Sequence, residues 1–394
     1  TIAISRGSIS FEGRTEFTNN NANNNGGAIH AIDGVVSFEG ETIFTGNTAF
    51  WEGGAIYGEG GSVISFDGET TFSENNASYG GAVFCRDCDV SFNGRTEFYA
   101  NEADTTGGAF YSDSSSVSFE GETVFTSNIA SSRPGGAVGV RNCSLSFEGE
   151  TVFRENVATV DNGGALYVFS GSSVTMDAGN VSFTNNVAGG SGGAVIAADG
   201  ASLTIRGPTT FLNNTAQGEG GGLYVIESTV ATAGGVNFTN NTAVNGAGGG
   251  VHCSISVASF EETTFTGNRA VWGGGLALFS TGTLWDADDP ASGAANTTMC
   301  VFEQNIANDG GGMYTASGYD IIEGTRFEEN TADGSGGGYI HSGVLVRLNT
   351  STFVKNRAGD DGPAIMSLGI AETFGSVTFD ANTLYCDAGQ YSYE

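Results

Sequence analysis

Side chains able to carry a proton or hold a metal are scarce in this 394-residue chain. Its histidines are His30, His252 and His341, and Lys355 is its single lysine. General acid–base catalysis needs paired titratable groups within hydrogen-bond reach. None of the three histidines has an acidic counterpart at its own position in a neighbouring repeat, and the few arginines fall at unrelated positions. Gly189-Gly190-Ser191-Gly192-Gly193 has the spacing of a nucleophile elbow, but that motif acts from a strand-to-helix turn. Here it coincides with a Gly-Gly pair that recurs along the chain. The sequence holds no phosphate-binding loop and no dinucleotide fingerprint. It reads as non-enzymatic.

Metal binding has two candidates. The stretch LWDADDPASG carries Asp286, Asp288 and Asp289, whose oxygens suit Ca²⁺. It lacks the EF-hand spacing and closing Glu, so a plain acidic loop is the competing reading. The other candidate is a row of acids at one repeat position: Glu12, Glu39, Asp67, Glu120 and Glu148. A second row holds Glu41, Glu69, Glu122 and Glu150, with Arg14 and Arg95 taking its place in two repeats. The rows could bind divalent cations, or form a solvated acidic edge. Ca²⁺ is the one cofactor the sequence offers.

Cys85 and Cys88 form a CxxC. Without a second CxxC or a βαβ context, this spacing points to a local disulfide rather than zinc or redox chemistry. Cys143 shares the repeat position of Cys88 but lies two repeats away, beyond the ~7 Å that a bridge spans. Eight N-x-S/T sequons, at Asn76, Asn142, Asn180, Asn213, Asn237, Asn240, Asn296 and Asn349, would accept N-glycans in a secreted protein. A further row, His30, Tyr57, Phe84, Tyr111, Tyr167, Tyr224, His252 and Tyr314, is mostly aromatic. Strand alternation places it outward. Exposed rings there would suit a sugar or a partner; the competing reading is that they cover backbone.

All these residues sit in one repeated frame. A Phe-x-x-Asn element occurs fourteen times, from Phe17/Asn20 to Phe379/Asn382, at steps close to 27 residues. Its clearest members are Phe44/Asn47, Phe72/Asn75, Phe98/Asn101, Phe125/Asn128 and Phe153/Asn156. Five to seven residues after the Asn of the first twelve copies comes a Gly-Gly pair, then Ala or Gly, then an apolar residue; the thirteenth copy degrades to Gly362-Pro363-Ala364. A fixed period of this size signals a repeat architecture. Three or more glycines per unit rule out helical repeats. Short runs such as VVSF and TIFT read as strands between turns. The predicted fold is all-β: a right-handed parallel β-helix of about fourteen coils over residues 1–394, with one insertion near 283–299 where the step lengthens to 37. Phe would stack in the core. Asn would sit at a bend, bonding backbone and tolerating unusual dihedrals. Gly-Gly would form the sharpest corner.

The net charge of −31 excludes nucleic acid as a partner. No apolar run approaches the ~20 residues of a membrane span. Neither end carries a polar cap, which solenoids need. The expectation is a segment of a longer chain or a unit that stacks on itself end to end.

At GGAI (Gly26–Ile29, Gly53–Ile56) and FxxN, the sequence resembles the repeats of chlamydial polymorphic outer membrane proteins. It is similar also to repeats in secreted and surface proteins of eukaryotic microbes. The resemblance runs along nearly all of the chain, with Ala replaced by Gly at Gly222, Gly250, Gly275, Gly312 and Gly338. It implies a β-helical passenger and an adhesive role. The reading is an acidic extracellular structural or adhesive β-helix at the cell surface, such as a segment of a surface fibre. Its partners would be itself, other surface proteins or glycans. The alternatives are a β-helix polysaccharide lyase or epimerase, and a calcium-dependent matrix protein.

Overall fold

The computed structural model of the protein describes residues 2–177, 179–279, 294–316, 319–343, 345–368 and 371–384. The described residues form strands, turns and bends, with no helix among them. They divide into two compact units. One holds residues 1–190 and 194–208, the other 191–193 and 209–394.

In the first unit every full coil carries the same four strands. One coil consists of Ile56–Glu59, Val63–Phe66, Thr70–Ser73 and Asn76–Ala77. The next consists of Val83–Arg86, Asp89–Phe92, Thr96–Tyr99 and Glu102–Ala103. We call these the first, second, third and fourth strands of a coil. Pairing between coils is parallel, and like positions meet: Ile56 pairs with Val83, Phe66 with Phe92, Phe72 with Phe98.

Alternation decides what faces in. Positions two and four of the second strand are buried (Ile64, Phe66), as are positions one and three of the third (Thr70, Phe72). This builds two phenylalanine columns. Within a column the rings stack at the coil spacing. Phe66–Phe92 lie at 4.7 Å, Phe44–Phe72 at 4.8 Å, and Phe98–Phe125 and Phe125–Phe153 each at 4.7 Å. Between columns they meet edge to face, as Phe119 meets Phe125 at 5.5 Å. Each stacked pair adds about 0.5–1.5 kcal/mol beyond burial.

The asparagines of FxxN depart from expectation in one respect. Asn47, Asn75, Asn101, Asn128 and Asn156 are fully buried, and none of them adopts the unusual dihedral that the sequence suggested. That conformation falls instead on the residue before each, at Gly46, Glu74, Ala100, Ser127 and Glu155, with φ between 50° and 64°. The physical reason is the direction of the side chain. The left-handed residue turns the chain so that the Asn amide points along the coil stack, where it meets the amides of the coils on either side. Asn101 Oδ1 accepts from both the backbone N–H and the Nδ2 of Asn75, while Asn101 Nδ2 donates to Phe72 O and Asn128 Oδ1. The pattern is the same at both ends of the row. Asn47 Nδ2 donates to Phe17 O and Asn75 Oδ1, and Asn156 Nδ2 donates to Phe125 O and Asn186 Oδ1. The asparagines therefore bond backbone, as anticipated, but their other partners are one another.

The first glycine of each corner pair has a positive φ, as at Gly53 (66°) and Gly80 (58°). The second is needed for close approach. A Cβ on Gly81 would lie 2.1 Å from Gly108 O and 2.4 Å from Glu102 O.

The second unit is built of similar coils with more variation. In two of them the second and third strands merge, over Thr229–Thr239 and Val257–Thr266, with a register shift between Ala233 and Val236. Ala294–Thr298 is a strand paired with the preceding coil. Most of the sequence insertion, with Asp286, Asp288 and Asp289, lies outside the described residues. No helix of the described residues is long and apolar enough to cross a membrane.

Candidate functional site

In a repeat scaffold, chemistry is sought where one coil departs from its neighbours. The first unit does so at the corner before Gly-Gly and on the adjoining outer face of the first strand. Position two of that strand carries Tyr57, Phe84 and Tyr111 in register. These rings do not form the exposed strip that alternation suggested. Tyr57 is 2 %, Phe84 1 % and Tyr111 7 % exposed. They lie against one another, at 5.5 Å for Tyr57–Phe84 and 5.4 Å for Phe84–Tyr111. Tyr79, from the preceding corner, closes over Tyr111 at 5.9 Å. Burial pushes the Tyr57 and Tyr111 hydroxyls well above their ordinary value.

Position four of the same strands alternates in charge: Glu59, Arg86, Asp113, Arg141. The arginines are thus not at unrelated positions, as the sequence suggested; Arg86 and Arg141 share one column, two coils apart. Arg141 Nε donates to Asp113 Oδ1 at 3.0 Å, and its Nη2 contacts Asp113 Oδ2. Burial pushes the Asp113 carboxyl up, but Arg141, Ser114 and Arg86 outweigh it and hold the group below its ordinary value. Arg86 lies over the Phe84 ring at 5.1 Å and donates to Glu52 Oε1 at 3.0 Å. Asn25 Nδ2 holds the other Glu52 oxygen, also at 3.0 Å.

Beside Glu52 three rings face solvent. Phe50 is 62 %, Trp51 52 % and Tyr79 37 % exposed. Phe50 and Trp51 meet edge to face at 4.7 Å, and the Tyr79 N–H donates to Trp51 O. Sequence reasoning missed this patch. The signal was present: other coils carry Asn23-Asn24 and Asp104-Thr105 around the same corner.

Two histidines have acidic partners after all. In the second unit, His252 Nδ1 lies 2.9 Å from Glu219 Oε2, and His341 Nδ1 lies 3.3 Å from Asp320 Oδ2. The partners come from other positions of neighbouring strands and corners, so counting along one position could not find them. His341, Asp320, Tyr339 and Thr315 form a buried polar cluster, with Tyr339 and Thr315 hydroxyls 2.9 Å apart. A separate cavity of about 270 Å³ is lined by Gln304, Glu329, Thr331, Lys355 and Arg357.

The remaining sequence candidates are placed as follows. Cys85 and Cys88 are joined by a disulfide, with Cα atoms 5.9 Å apart. Cys143, Cys253 and Cys300 are free and buried. Ser115 intervenes between Cys88 and Cys143, its Oγ accepting from the Cys88 N–H. Asn142, Asn180, Asn213 and Asn240 are exposed, whereas Asn76, Asn237, Asn296 and Asn349 are half-buried. In the acidic rows, Arg95 bridges Glu69 at 2.7 Å and Glu122 at 3.5 Å, and Arg14 pairs with Glu16 and Glu41. Among the described residues no group of three or more His, Cys, Asp or Glu is arranged to hold a metal.

Five stretches of this chain match the Chlamydia polymorphic membrane protein repeat: residues 14–32, 41–59, 69–86, 180–198 and 208–226. These five repeats are of that type. Each match runs from the third strand or just before it, through the Asn and the Gly-Gly corner, to the end of the first strand. The likeness therefore rests on the parts that the coil geometry demands. No curated protein and no solved structure matches the chain.

Proposed function

We propose that this protein is a non-enzymatic extracellular β-solenoid that serves an adhesive or structural role at a cell surface. The observation that carries this reading is the run of surface-protein-type repeats, whose recurring chemistry is spent on the scaffold. Buried Phe and Asn columns hold the coils in register, and the corners and outer faces are left free to vary. The alternating charges at Arg86, Asp113 and Arg141 are paired with one another, which suits a fixed recognition face better than proton transfer.

Two measurements on cells producing the full protein test the reading. Protease shaving and antibody labelling of intact cells should reach the solenoid. Loss of the protein should weaken attachment or alter the surface layer. A protein found only inside intact cells, or a purified protein that turns over polysaccharide, would overturn it.

A further inference from the structure

We propose that the corner patch of Phe50, Trp51 and Tyr79, with Glu52 and Arg86, binds an uncharged saccharide. The proposal deepens the adhesive reading and rests on it.

The scaffold does not require these rings. Phenylalanines at repeat positions, such as Phe44 and Phe72, are wholly buried, whereas Phe50 and Trp51 are more than half exposed. Other coils close the same corner with Asn23-Asn24 or Asp104-Thr105. Leaving apolar area in water costs about 25 cal/mol per Å², so an exposed aromatic pair is a feature that folding alone disfavours. The pair is also held in place. Trp51 N–H donates to Asn24 O, Tyr79 N–H donates to Trp51 O, and Glu52 and Tyr79 form a parallel bridge. The backbones that carry Trp51 and Tyr79 are thus fixed on adjacent coils.

Polar groups beside the rings are oriented before any ligand arrives. Glu52 is gripped by Asn25 and Arg86, one on each carboxylate oxygen, with 18 % of its side chain exposed. Arg86 is 42 % exposed and presents further N–H donors. Exposed rings with fixed donors and acceptors at their rim match the two faces of a sugar: C–H groups for the ring and hydroxyls for the rim.

Charge decides the class of sugar. The chain carries −31, yet here Glu52 and Asp113 are balanced by Arg86 and Arg141, and all four are engaged with one another. An acidic saccharide would find no unpaired cation and would meet the acidic surface around it. A neutral one loses nothing to that field. The buried row of Tyr57, Phe84 and Tyr111 takes no part beyond supporting Arg86 and Tyr79 from below.

The test is affinity gel electrophoresis of the purified full chain. The gels contain mixed-linkage β-glucan, mannan or hydroxyethylcellulose as neutral polymers, and polygalacturonate or chondroitin sulfate as acidic ones. The expected result is retardation by at least one neutral polymer and by neither acidic one. Trp51→Ala and Tyr79→Ala should each weaken it at least tenfold. Tyr99→Ala, which removes an exposed ring elsewhere on the coil, should leave it unchanged. Melting curves of all three variants should stay close to that of the parent protein. No retardation by any neutral polymer, preference for an acidic one, or equal loss in Tyr99→Ala would overturn the proposal. The surface-labelling test does not depend on a saccharide, so failure of this proposal and failure of the adhesive reading give different results.

Discussion

At the scale of the residue, the buried asparagine is the most demanding part of this design. Each amide is cut off from water and must find all its partners in the two neighbouring coils. Replacing Asn101 by Leu would leave the Asn75 N–H without its acceptor and strip one bond each from the Asn75 amide, Phe72 O and Asn128 Oδ1. A stranded buried group costs about 1–3 kcal/mol, and the other lost bonds add to it. Asn101→Leu should therefore destabilise the protein by ~3 kcal/mol or more in urea titrations, and a near-neutral result would deny the ladder its role. Glu219 gives a residue-scale prediction with a pH sign. Burial pushes its carboxyl up, but the His252 imidazole 2.9 Å away and the Ala247 N–H outweigh burial and hold it below the ordinary 4.5. A carboxyl held low in the folded state contributes stability that is fully present above the unfolded value and lost as pH falls through the folded one. Glu219→Gln should lower the melting temperature at pH 7, and the gap should close as the pH drops below about 4.5. A gap that persisted in acid would mean the carboxylate charge is not what matters. The Asn column was legible in sequence because every member sits three residues after a Phe. Its side-chain ladder was not, because Asn47 and Asn156 read alike whether the amide turns to its own bend or to the next coil. The Glu219–His252 pair was hidden for a different reason: Glu219 belongs to a corner whose length varies between coils.

At the scale of the element, three short strands per coil could be read from alternation and turn residues; the fourth, only two residues long as at Asn76–Ala77, could not, because two residues carry no alternation. The corner shows how much of that reading was chemical and how much only spacing. The first glycine was readable as a positive-φ position. The role of the second, a backbone-to-backbone approach between coils, follows only once the coils are stacked. Gly81→Ala should cost ~3 kcal/mol, since the added methyl meets backbone oxygens of two different segments and neither can rotate away. Gly13→Ala, where a Cβ would meet nothing within 4 Å, should stay within ~0.5 kcal/mol of the parent. Equal melting points for the two variants would show that the corner can yield. The outer aromatic row marks the limit of pattern reading. Alternation correctly turned Tyr57, Phe84 and Tyr111 away from the Phe core, but outward is not the same as exposed. The rings cover one another, Arg86 lies over Phe84 and Tyr79 from a corner closes over Tyr111, and none of these contacts is written in the strand pattern.

At the scale of the whole molecule, charge is the dominant unbalanced quantity. Forty-four acidic residues stand against thirteen basic ones. The coil spacing stacks many of them in rows about 4.8 Å apart. Neighbours in a row are too close for salt to separate, yet each acid also feels others several coils away. Those longer-range terms are what ions remove, since the Debye length falls from about 30 Å at 0.01 M to about 10 Å at 0.1 M. Arg14 and Arg95 relieve the rows locally, each bridging two carboxylates, and they leave the rest of the imbalance in place. Folding brings these charges together, so self-repulsion opposes the compact state and salt should relieve it. Raising NaCl from about 10 to about 200 mM should lift the melting temperature by several degrees, and Arg95→Gln should steepen that dependence. CaCl₂ at matched ionic strength separates screening from binding, because a bound ion stabilises in proportion to the logarithm of its concentration and does not level off once screening is complete. A melting temperature indifferent to NaCl would mean that the solenoid spaces its acids widely enough to tolerate them in dilute buffer.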